Sequence, residues 1–385
     1  MKHKLIRITT VPLSLEKLLE GQLTFMQDYY HVTAICSEKE RLQKFGKENQ
    51  VATFFVNLTR KITPVDDLLA VFKIYKYLKK EKPLIVHTHT PKAGIVGMFA
   101  AYLARVPIRL HTVAGLPLME ETGLKRSLLD AVEKLTYRFA TMIYPNSKGL
   151  YDFIVSEKYT KTSKLKILGV GSSNGIDTSY FDPSMYTEVE KKTFKRTLGI
   201  PENDFTFIFV GRIVKDKGLN ELIHVFDRIL KFKSNVSLLL VGPFEDDLDP
   251  LLPSSMKIIN NSKKIISVGY QVEVRLHYAI SDALVFPSYR EGFPNVVLQA
   301  GAMGLPSIVS NINGCNEIIK DNYNGLIIPS KNEKSLEEAM LVLVENNEVY
   351  DRLQPNTRST VVKKYERADM WRHLLSEYRK WVAQL

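Results

Sequence analysis

The chain has 385 residues, of which 45% are hydrophobic and 25% are charged. This length exceeds what one hydrophobic core usually spans, so it predicts two domains, and the composition excludes a disordered or fibrous protein. Two distant cysteines, Cys36 and Cys315, exclude a disulfide framework and a cysteine-ligated zinc site. The sequence contains no run of about 18 apolar residues, which excludes a membrane-spanning helix.

The N-terminal segment 1–12 has a basic start, but its apolar positions alternate and no small-residue cleavage site follows. This pattern predicts a first β-strand rather than a signal peptide. We therefore expect a cytoplasmic protein, or one held peripherally on the inner face of the plasma membrane.

Short β-rich runs alternate with helical stretches through the first half of the chain. A strand followed by a helix, repeated, predicts a parallel sheet with helices on both faces. The predicted strands of this half are residues 4–9, 31–36, 51–56, 84–87, 109–112, 142–145 and 165–168.

The net charge of +11 is concentrated in this first half. Residues 1–185 contain 27 Lys and Arg against 17 Asp and Glu, whereas the remainder contains 26 against 25. This excess of basic residues suits an anionic partner, which could be a membrane surface, a phosphorylated lipid or a nucleic acid. The alternative is a basic face that keeps the protein soluble. Amphipathic basic helices favour the bilayer surface, and no nucleic-acid-binding motif accompanies them. The basic residues that follow a helical period are Lys73, Lys76, Lys79, Lys80, Lys82, Lys125, Arg126, Lys134 and Arg138.

A turn-rich stretch, residues 174–186, separates the two halves and predicts a domain boundary near residue 185. A charged helix is expected at 187–198, and the final stretch 366–385 is amphipathic and is expected to pack back on the first domain. Two facing Rossmann-like domains, 1–185 and 186–365, with ligands in the cleft between them, are the simplest architecture. The predicted strands of the second half are residues 206–210, 236–241, 265–268, 283–287, 307–310 and 325–328.

The segment 207–218 runs from a buried strand through a loop into a helix that begins near Leu219. It contains Arg212 and, five residues later, Lys217. Two cationic side chains just beyond a strand end can converge on one pyrophosphate. This spacing predicts a diphosphate site, and a helix N-terminus beside it would balance the charge without a metal.

The segment 290–300 supplies that helix N-terminus. Its sequence, REGFPNVVLQA, follows an apolar strand and places Glu291 directly before a helix start. The amides of such a helix bind anions. Glu291 cannot comfortably share an anion site, so we expect it to face something neutral or partly cationic, such as sugar hydroxyls. Together these features predict a nucleotide-sugar site.

Two other motifs do not change this interpretation. The Asp-x-Asp spacing among Glu245, Asp246, Asp247 and Asp249 could hold a divalent ion, but it lacks an apolar frame and predicts a solvated loop. GVGSSNG at 169–175 superficially resembles a dinucleotide fingerprint, yet its polar interior indicates an interdomain loop.

The chain resembles the retaining family 4 glycosyltransferases of the GT-B fold over nearly its whole length. In the second half the resemblance rests on VGRIVKDKG, LLLVGP, ISVGY, FPSYREGFPNVVLQAGAMGLPSIVS and NGLIIP. In the first half, IVHTHTPKAGIVGMFAA, HTVAGLP and LGVGSSNGIDTSYF resemble the branch that builds bacterial surface polysaccharides or lipid-linked oligosaccharides.

The resemblance implies roles for individual residues. Arg212 and Lys217 would hold the donor diphosphate with the amides of Asn295 and Val296, Glu291 would contact the transferred sugar, and no metal would be required. The departing phosphate itself would accept the acceptor's proton. The implied donor-binding set is Gly211, Arg212, Lys217, Tyr270, Glu291, Gly292, Phe293, Asn295, Val296 and Gln299.

Gln299 departs from the family pattern, which has a second glutamate there that binds ribose hydroxyls. An amide can still accept from one hydroxyl and donate to another, so we expect altered or weaker donor recognition rather than a dead enzyme.

The first half also departs from the pattern. Ala114 occupies the position where related enzymes often carry a histidine near the sugar, and His111 is a weak catalytic candidate beside it. His87 and His89 are expected in the loop that opens the next helix. Residues 10–15 lack the usual glycines, so acceptor contact is the expected role of that loop. The acceptor-side candidates are Pro12, Ser14, His89 and Lys92.

The resemblance therefore implies a retaining glycosyltransferase that moves a sugar from a nucleotide-diphosphate donor, expected to be a UDP-sugar, to a glycan or a polyprenyl-diphosphate-linked sugar. The expected partners are this donor, this acceptor and an anionic membrane surface. The alternatives are a nucleotide-sugar epimerase of the same fold, a non-catalytic nucleotide-sugar binder and a nucleic-acid-binding protein.

Overall fold

The computed structural model describes residues 2–59, 61–245 and 249–385. The chain forms two compact units. The first comprises the residues up to Asn174 together with Ala368–Leu385, and the second comprises Gly175–Arg367.

The first unit is built on a six-stranded parallel sheet. The strand order is β3-β2-β1-β4-β5-β6, so the direction of winding reverses between β1 and β4. All five residues of β4 are buried, as expected for a central strand with helices on both faces. The strands are β1 (Lys4–Ile8), β2 (His31–Cys36), β3 (Ala52–Phe55), β4 (Ile85–His89), β5 (Ile108–Val113) and β6 (Met142–Pro145).

Helices cover both faces of this sheet, and α4 packs between α3 and α5. A π-helical turn at Ser14–Leu18 and short 3₁₀ turns at Pro117–Glu120 and Thr162–Lys164 lie between the longer elements. The helices are α1 (Gln22–Gln27), α2 (Lys39–Asn49), α3 (Pro64–Glu81), α4 (Pro91–Leu103), α5 (Gly123–Phe139) and α6 (Lys148–Ser156).

The seventh strand predicted for this half, residues 165–168, is wrong. Leu165 makes a single parallel bridge to Ile143, and the amide of Lys166 donates to the carbonyl of Ile143. One bridge at the open edge of β6 leaves the segment without the repeated ladder that defines a strand.

The second unit repeats the architecture, with strand order β12-β11-β10-β7-β8-β9 and every pair parallel. All six predicted strands are present. They are β7 (Phe205–Val210), β8 (Val236–Val241), β9 (Ile265–Ser267), β10 (Ala283–Phe286), β11 (Ser307–Ser310) and β12 (Gly325–Ile328).

Some helices of this unit begin at a residue whose side chain accepts a backbone amide of the first turn. The Thr187 hydroxyl accepts from the Glu190 amide while the Glu190 carboxylate accepts from the Thr187 amide, which forms a capping box. Two 3₁₀ turns lie at Pro183–Met185 and Lys215–Lys217. The helices are α7 (Glu188–Thr197), α8 (Leu219–Leu230), α9 (Pro253–Asn261), α10 (Arg275–Ala279), α11 (Asn295–Ala302), α12 (Cys315–Ile318), α13 (Glu333–Glu345) and α14 (Asn347–Tyr365).

The division between the units follows Asn174, earlier in the chain than the boundary predicted near residue 185. The turn-rich stretch packs into the second unit, because Ile176 and Phe181 are buried in its core. The amide of Ile176 also donates to the carbonyl of Tyr365 over 2.8 Å. Turn-forming composition therefore marked the right region but not the point at which the packing changes.

The C-terminal helix α15 (Arg367–Val382) returns the chain to the first unit. Tyr378 is buried against the sheet, and the Trp371 indole N–H donates to the side-chain oxygen of Asn174 over 2.7 Å. Among the described residues, no helix is both long and apolar enough to cross a membrane.

Helix α5 buries an acidic side chain. Glu133 is 5% exposed, and burial raises the pKa of its carboxyl to about 7, against a usual 4.5. The folded protein therefore holds this proton over a pH range in which the unfolded chain has lost it, so folding becomes less favourable as pH rises through that range.

Replacing this carboxyl by an amide removes the pH dependence that the Glu133 proton adds to the unfolding free energy. The unfolding free energy of Glu133→Gln relative to wild type should increase by about 3 kcal/mol between pH 4.5 and pH 8, at 1.36 kcal/mol per pKa unit. Urea unfolding across this pH range measures the difference. The control is Glu338→Gln on α13, whose carboxylate is exposed; parallel curves for the two variants would contradict the prediction.

Candidate functional site

The sequence singled out Arg212 and Lys217, which follow β7, and Glu291, which follows β10. These two strands are neighbours in the sheet. Close backbone approach fixes the loops after these strands. A Cβ at Gly242 would lie 1.7 Å from the Gly211 carbonyl oxygen, so only glycine permits this contact between the loops after β7 and β8. It brings Arg212 beside Glu245, and Nη1 of Arg212 donates to Oε2 of Glu245 over 2.6 Å.

Gly218 makes the corresponding contact on the other side of β7. It caps α8 with a φ of +71°, and a Cβ there would lie 2.2 Å from the Pro287 carbonyl oxygen at the end of β10. The N-terminus of α8 therefore lies directly against the segment that leads to Glu291.

Lys217 and Glu291 form an ion pair across this contact. Their Nζ and Oε1 atoms are 2.5 Å apart, and the side chains are only 15% and 16% exposed. The Ser288 hydroxyl donates to the same oxygen over 3.1 Å. The loop after β7 therefore delivers a cationic group to Glu291, one of the two kinds of partner expected for it, and the contact with sugar hydroxyls stays a prediction.

Arg212 and Lys217 were predicted to converge on one anion, yet here they bond to different carboxylates. Arg212 turns toward the loop after β8 and is 45% exposed, whereas Lys217 turns toward the loop after β10. Each cation uses one of its several N–H donors in these pairs, so further donors remain for an anion.

The loop between Glu291 and α11 is fixed by a residue that the sequence analysis missed. The Asn313 amide nitrogen donates to the carbonyls of Glu291 and Gly292 over 3.0 and 2.6 Å. Gly314, with a φ of +75°, allows this approach because a Cβ would lie 2.5 Å from the Gly292 oxygen. Helix α11 then begins at Asn295 without a side-chain cap. An Asn-Gly pair in the loop that follows a buried strand was the signal available in the sequence.

Gln299 has a buried partner. The Tyr278 hydroxyl, on α10, donates to Oε1 of Gln299 over 3.1 Å, and Tyr278 is fully buried. The glutamine oxygen therefore accepts this hydroxyl, and its NH₂ group offers donors rather than the charge-assisted acceptors of a carboxylate.

The remaining predicted donor residues differ in exposure. Phe293 is buried against Tyr365, with ring centroids 5.6 Å apart, and Val296 packs against the core, so backbone groups are what these two residues can offer a ligand. Tyr270 follows β9 and is 60% exposed.

The acidic loop after β8 bonds to the basic loop after β7. Besides the Glu245–Arg212 pair, the Asp249 carboxylate accepts from the Asp216 amide over 2.7 Å. Asp246 and Asp247 lie outside the described residues. Among those described, no three His, Cys, Asp or Glu side chains form a group that could hold a metal ion.

Two histidines of the first unit that were predicted in a loop lie in β4 instead. The fully buried Arg7 guanidinium donates to Nδ1 of His87 and to Nδ1 of His89, each over 3.1 Å, and to the Tyr378 hydroxyl over 2.6 Å. Burial, and then the charge of Arg7, lower the pKa of both imidazoles well below the usual range. His89 therefore belongs to a buried network around the Arg7 guanidinium rather than to an exposed acceptor surface.

His111 is likewise buried in β5. Its Nδ1 is 2.8 Å from the Thr88 hydroxyl, and burial lowers the pKa of the imidazole to about 4. A Cβ at Gly94 would lie 2.6 Å from this ring, so α4 packs directly over it. This enclosure does not favour the catalytic role that was considered for His111.

Ser14 and Lys92 line a groove of about 540 Å³ on the first unit. Lys92 is 11% exposed and its ammonium pairs with Asp67, with Nζ and Oδ2 2.5 Å apart. Pro12 lies in the same loop as Ser14 but is buried. Three of the four acceptor-side candidates thus lie in or next to the groove, and His89 does not.

The sequence matches two described families. Residues 190–360 match "Glycosyl transferases group 1", and residues 18–147 match "Glycosyl transferase 4-like". The chain is 30% identical to the capsular polysaccharide biosynthesis glycosyltransferase CapM of Staphylococcus aureus, over 99% of this chain and 98% of that protein. It is 32% identical to the UDP-Gal:alpha-D-GlcNAc-diphosphoundecaprenol alpha-1,3-galactosyltransferase of Escherichia coli, over 94% and 93% of the two chains.

The fold is shared with solved structures. The crystal structure of Anabaena Alr3699/HepE in complex with UDP and glucose superposes with a TM-score of 0.83, covering 98% of this chain and 100% of that one at 15% identity. The GT-B fold implied by the sequence motifs is confirmed.

The contact at Gly218 can be separated from its backbone conformation. Gly199 has nearly the same φ, +70°, but open space around it, whereas Gly218 faces the Pro287 carbonyl. Gly199→Ala should cost about 1 kcal/mol for the left-handed conformation alone, and Gly218→Ala about 1–3 kcal/mol more, because strand and helix must move apart. Urea unfolding measures both variants in the same unit; equal losses would show that the close approach is not required.

Proposed function

Because this chain belongs to the group 1 glycosyl transferases, we propose that it transfers a sugar from a UDP-sugar to a lipid-diphosphate-linked sugar, with retained anomeric configuration and without a metal. The family confirms the glycosyltransferase activity expected from the motifs. The relatives do not support the alternatives of an epimerase or a non-catalytic binder.

The observation that carries the donor proposal is the ion pair of Lys217 and Glu291 beside the uncapped N-terminus of α11. The pair is electrically neutral, so the donor diphosphate meets Arg212, the remaining donors of Lys217 and the amides of Asn295 and Val296 without a full opposing charge. The same groups stabilise the negative charge that develops on the leaving diphosphate.

Glu291 has two functions in this proposal. One carboxylate oxygen holds Lys217, which orients the ammonium toward the diphosphate, and the other is available to hydroxyls of the transferred sugar. The departing phosphate accepts the acceptor's proton, so no strong protein base is required. The burial of His111 and the replacement at Ala114 agree with this, because neither offers an ionisable group at the surface of the first unit.

Gln299 contacts the donor ribose in place of a glutamate. Its oxygen already accepts from Tyr278, so its NH₂ group donates to a ribose hydroxyl. A neutral amide makes weaker bonds than a carboxylate, and the affinity for the nucleotide therefore depends more on the diphosphate contacts.

The acceptor proposal draws on the relatives and on the surface of the first unit. The E. coli relative acts, by its name, on a sugar linked to diphosphoundecaprenol. On the first unit, α3 and α5 expose apolar side chains, and lysines follow them along α3. We call this the docking surface: Val65, Leu68, Leu69 and Phe72 of α3 and Leu124 of α5, with Lys76, Lys79 and Lys80.

The docking surface fits the face of an anionic bilayer. Phe72 is 53% and Leu124 90% exposed, and the Lys76 ammonium lies 4.3 Å from the Phe72 ring centroid. Apolar side chains enter the headgroup boundary while the adjoining lysines bind anionic lipid headgroups. We therefore propose that the protein binds peripherally to the inner face of the plasma membrane and does not bind nucleic acid.

Removing either phosphate-binding cation should weaken the binding of UDP. We expect Arg212→Ala to weaken it about tenfold, as for loss of one charge-assisted hydrogen bond. Lys217→Ala should weaken it more, because Glu291 is then left as an unneutralised, largely buried carboxylate. Isothermal titration with UDP measures both, and Lys215→Ala, an exposed lysine of the same loop, is the control and should bind within twofold of wild type. Unchanged UDP affinity in both test variants would disprove the diphosphate assignment.

The docking surface predicts sedimentation with phosphatidylglycerol vesicles but not with phosphatidylcholine vesicles. Exchanging Lys76, Lys79 and Lys80 for Glu should reduce binding at least tenfold, since each lysine near an anionic surface contributes about 1 kcal/mol. The matched control exchanges Lys334, Lys363 and Lys364, which are exposed on the second unit, and alters the net charge equally. Equal partitioning onto both lipids, or equal loss in both variants, would refute the docking surface.

A further inference from the structure

The groove of about 540 Å³ on the first unit begins at the point where the winding of the sheet reverses. The loops that follow β1 and β4 meet there, and the Thr10 and Thr90 hydroxyl oxygens are 2.7 Å apart. In open parallel sheets this crevice is the usual place for a ligand. Its volume is that of a small-molecule site.

The lining of the groove combines two kinds of side chain. It includes two ion pairs, Lys92 with Asp67 and Lys125 with Glu121, each over 2.5 Å. It also includes apolar side chains of α4, α5 and the segment before α3. They are Ile62, Ile95, Leu128, Leu129 and Val132.

The apolar part of the lining adjoins the docking surface. Ile62 is 55% and Leu128 49% exposed, and both line the groove. Leu124 precedes Leu128 by one helical turn on α5, and Val65 follows Ile62 at the start of α3. The groove therefore combines apolar side chains next to the proposed membrane contact with the ammonium groups of Lys92 and Lys125, which suits a ligand with an apolar chain at one end and an anionic group at the other.

We propose that this groove binds the first isoprenoid units of the acceptor lipid, with Lys92 and Lys125 facing its diphosphate. The inference rests on the proposed function, which supplies the class of acceptor. It adds that the protein recognises the lipid itself and not only the sugar that the lipid carries. The free energy comes from burying apolar chain against apolar side chains, and the lysines set the direction in which the chain lies.

The test uses farnesyl diphosphate, below its micelle concentration and without vesicles or donor, in isothermal titration against the full chain. Wild type should bind farnesyl diphosphate at least tenfold more tightly than inorganic diphosphate. The double variant Ile62→Ser, Leu128→Ser should lose most of this difference, with little effect on folding because both side chains are half exposed. The matched control, Leu103→Ser with Leu135→Ser, alters two leucines of α4 and α5 that are 45% and 44% exposed and do not line the groove, and should bind within twofold of wild type.

Two results would overturn the proposal. One is equal affinity of wild type for farnesyl and inorganic diphosphate, and the other is equal weakening in the groove variant and its control. The farnesyl diphosphate titration contains no donor, so its result does not depend on the donor proposal. Failure of the donor proposal appears only in the UDP titrations. If the groove variant loses farnesyl diphosphate but turns over a lipid-linked sugar as fast as wild type, the lipid site stands as a binding site and its role in acceptor recognition is refuted.

Discussion

The second unit depends on how closely its backbone segments approach one another at the carboxyl ends of β7, β8 and β10. Two glycines permit this. Gly242 lies against the Gly211 carbonyl, and Gly218 lies against the Pro287 carbonyl, at distances that no side chain could occupy. Because three loops are thereby held together, charged residues far apart in the chain become direct neighbours. The ion pair of Lys217 with Glu291 and that of Arg212 with Glu245 both follow from this packing rather than from local sequence.

The charge arrangement that results is suited to a ligand that is itself strongly charged. Each cation is held by one carboxylate, which orients it and limits the cost of keeping it partly buried, yet neither has used all its donors. A diphosphate can therefore bind without dismantling the pairs. The Asn313 amide holds the carbonyls of Glu291 and Gly292, so the chain enters α11 in one conformation and its first amides stay in place. Preorganised donors of this kind are the usual source of electrostatic stabilisation in group transfer.

The first unit separates its polar groups differently. Its His87 and His89 are buried with Tyr378 around the Arg7 guanidinium in an internal network that joins the sheet to α15, so they contribute to structure. Its surface instead carries exposed apolar side chains and lysines on α3 and α5, and between these helices lies a largely apolar groove whose lining includes Lys92. This division places hydrophobic contacts, rather than acid–base groups, where a lipid-linked acceptor would be recognised.

The sequence by itself determined the fold class, twelve of the thirteen predicted strands, the family and the loops that carry Arg212, Lys217 and Glu291, because strand–helix alternation and turn chemistry are local properties. It could not determine which charges pair, since the partner of Lys217 lies 74 residues away and depends on the register of β7 against β10. Nor could it place His87 and His89, which were expected in the loop that opens the next helix although the Arg7 guanidinium bonds to both inside the sheet. The position of Gln299 was evident from the motif, but its bond to Tyr278 was not. Tertiary structure decided these points because hydrogen bonds and ion pairs depend on distances in space, which spacing along the chain does not encode.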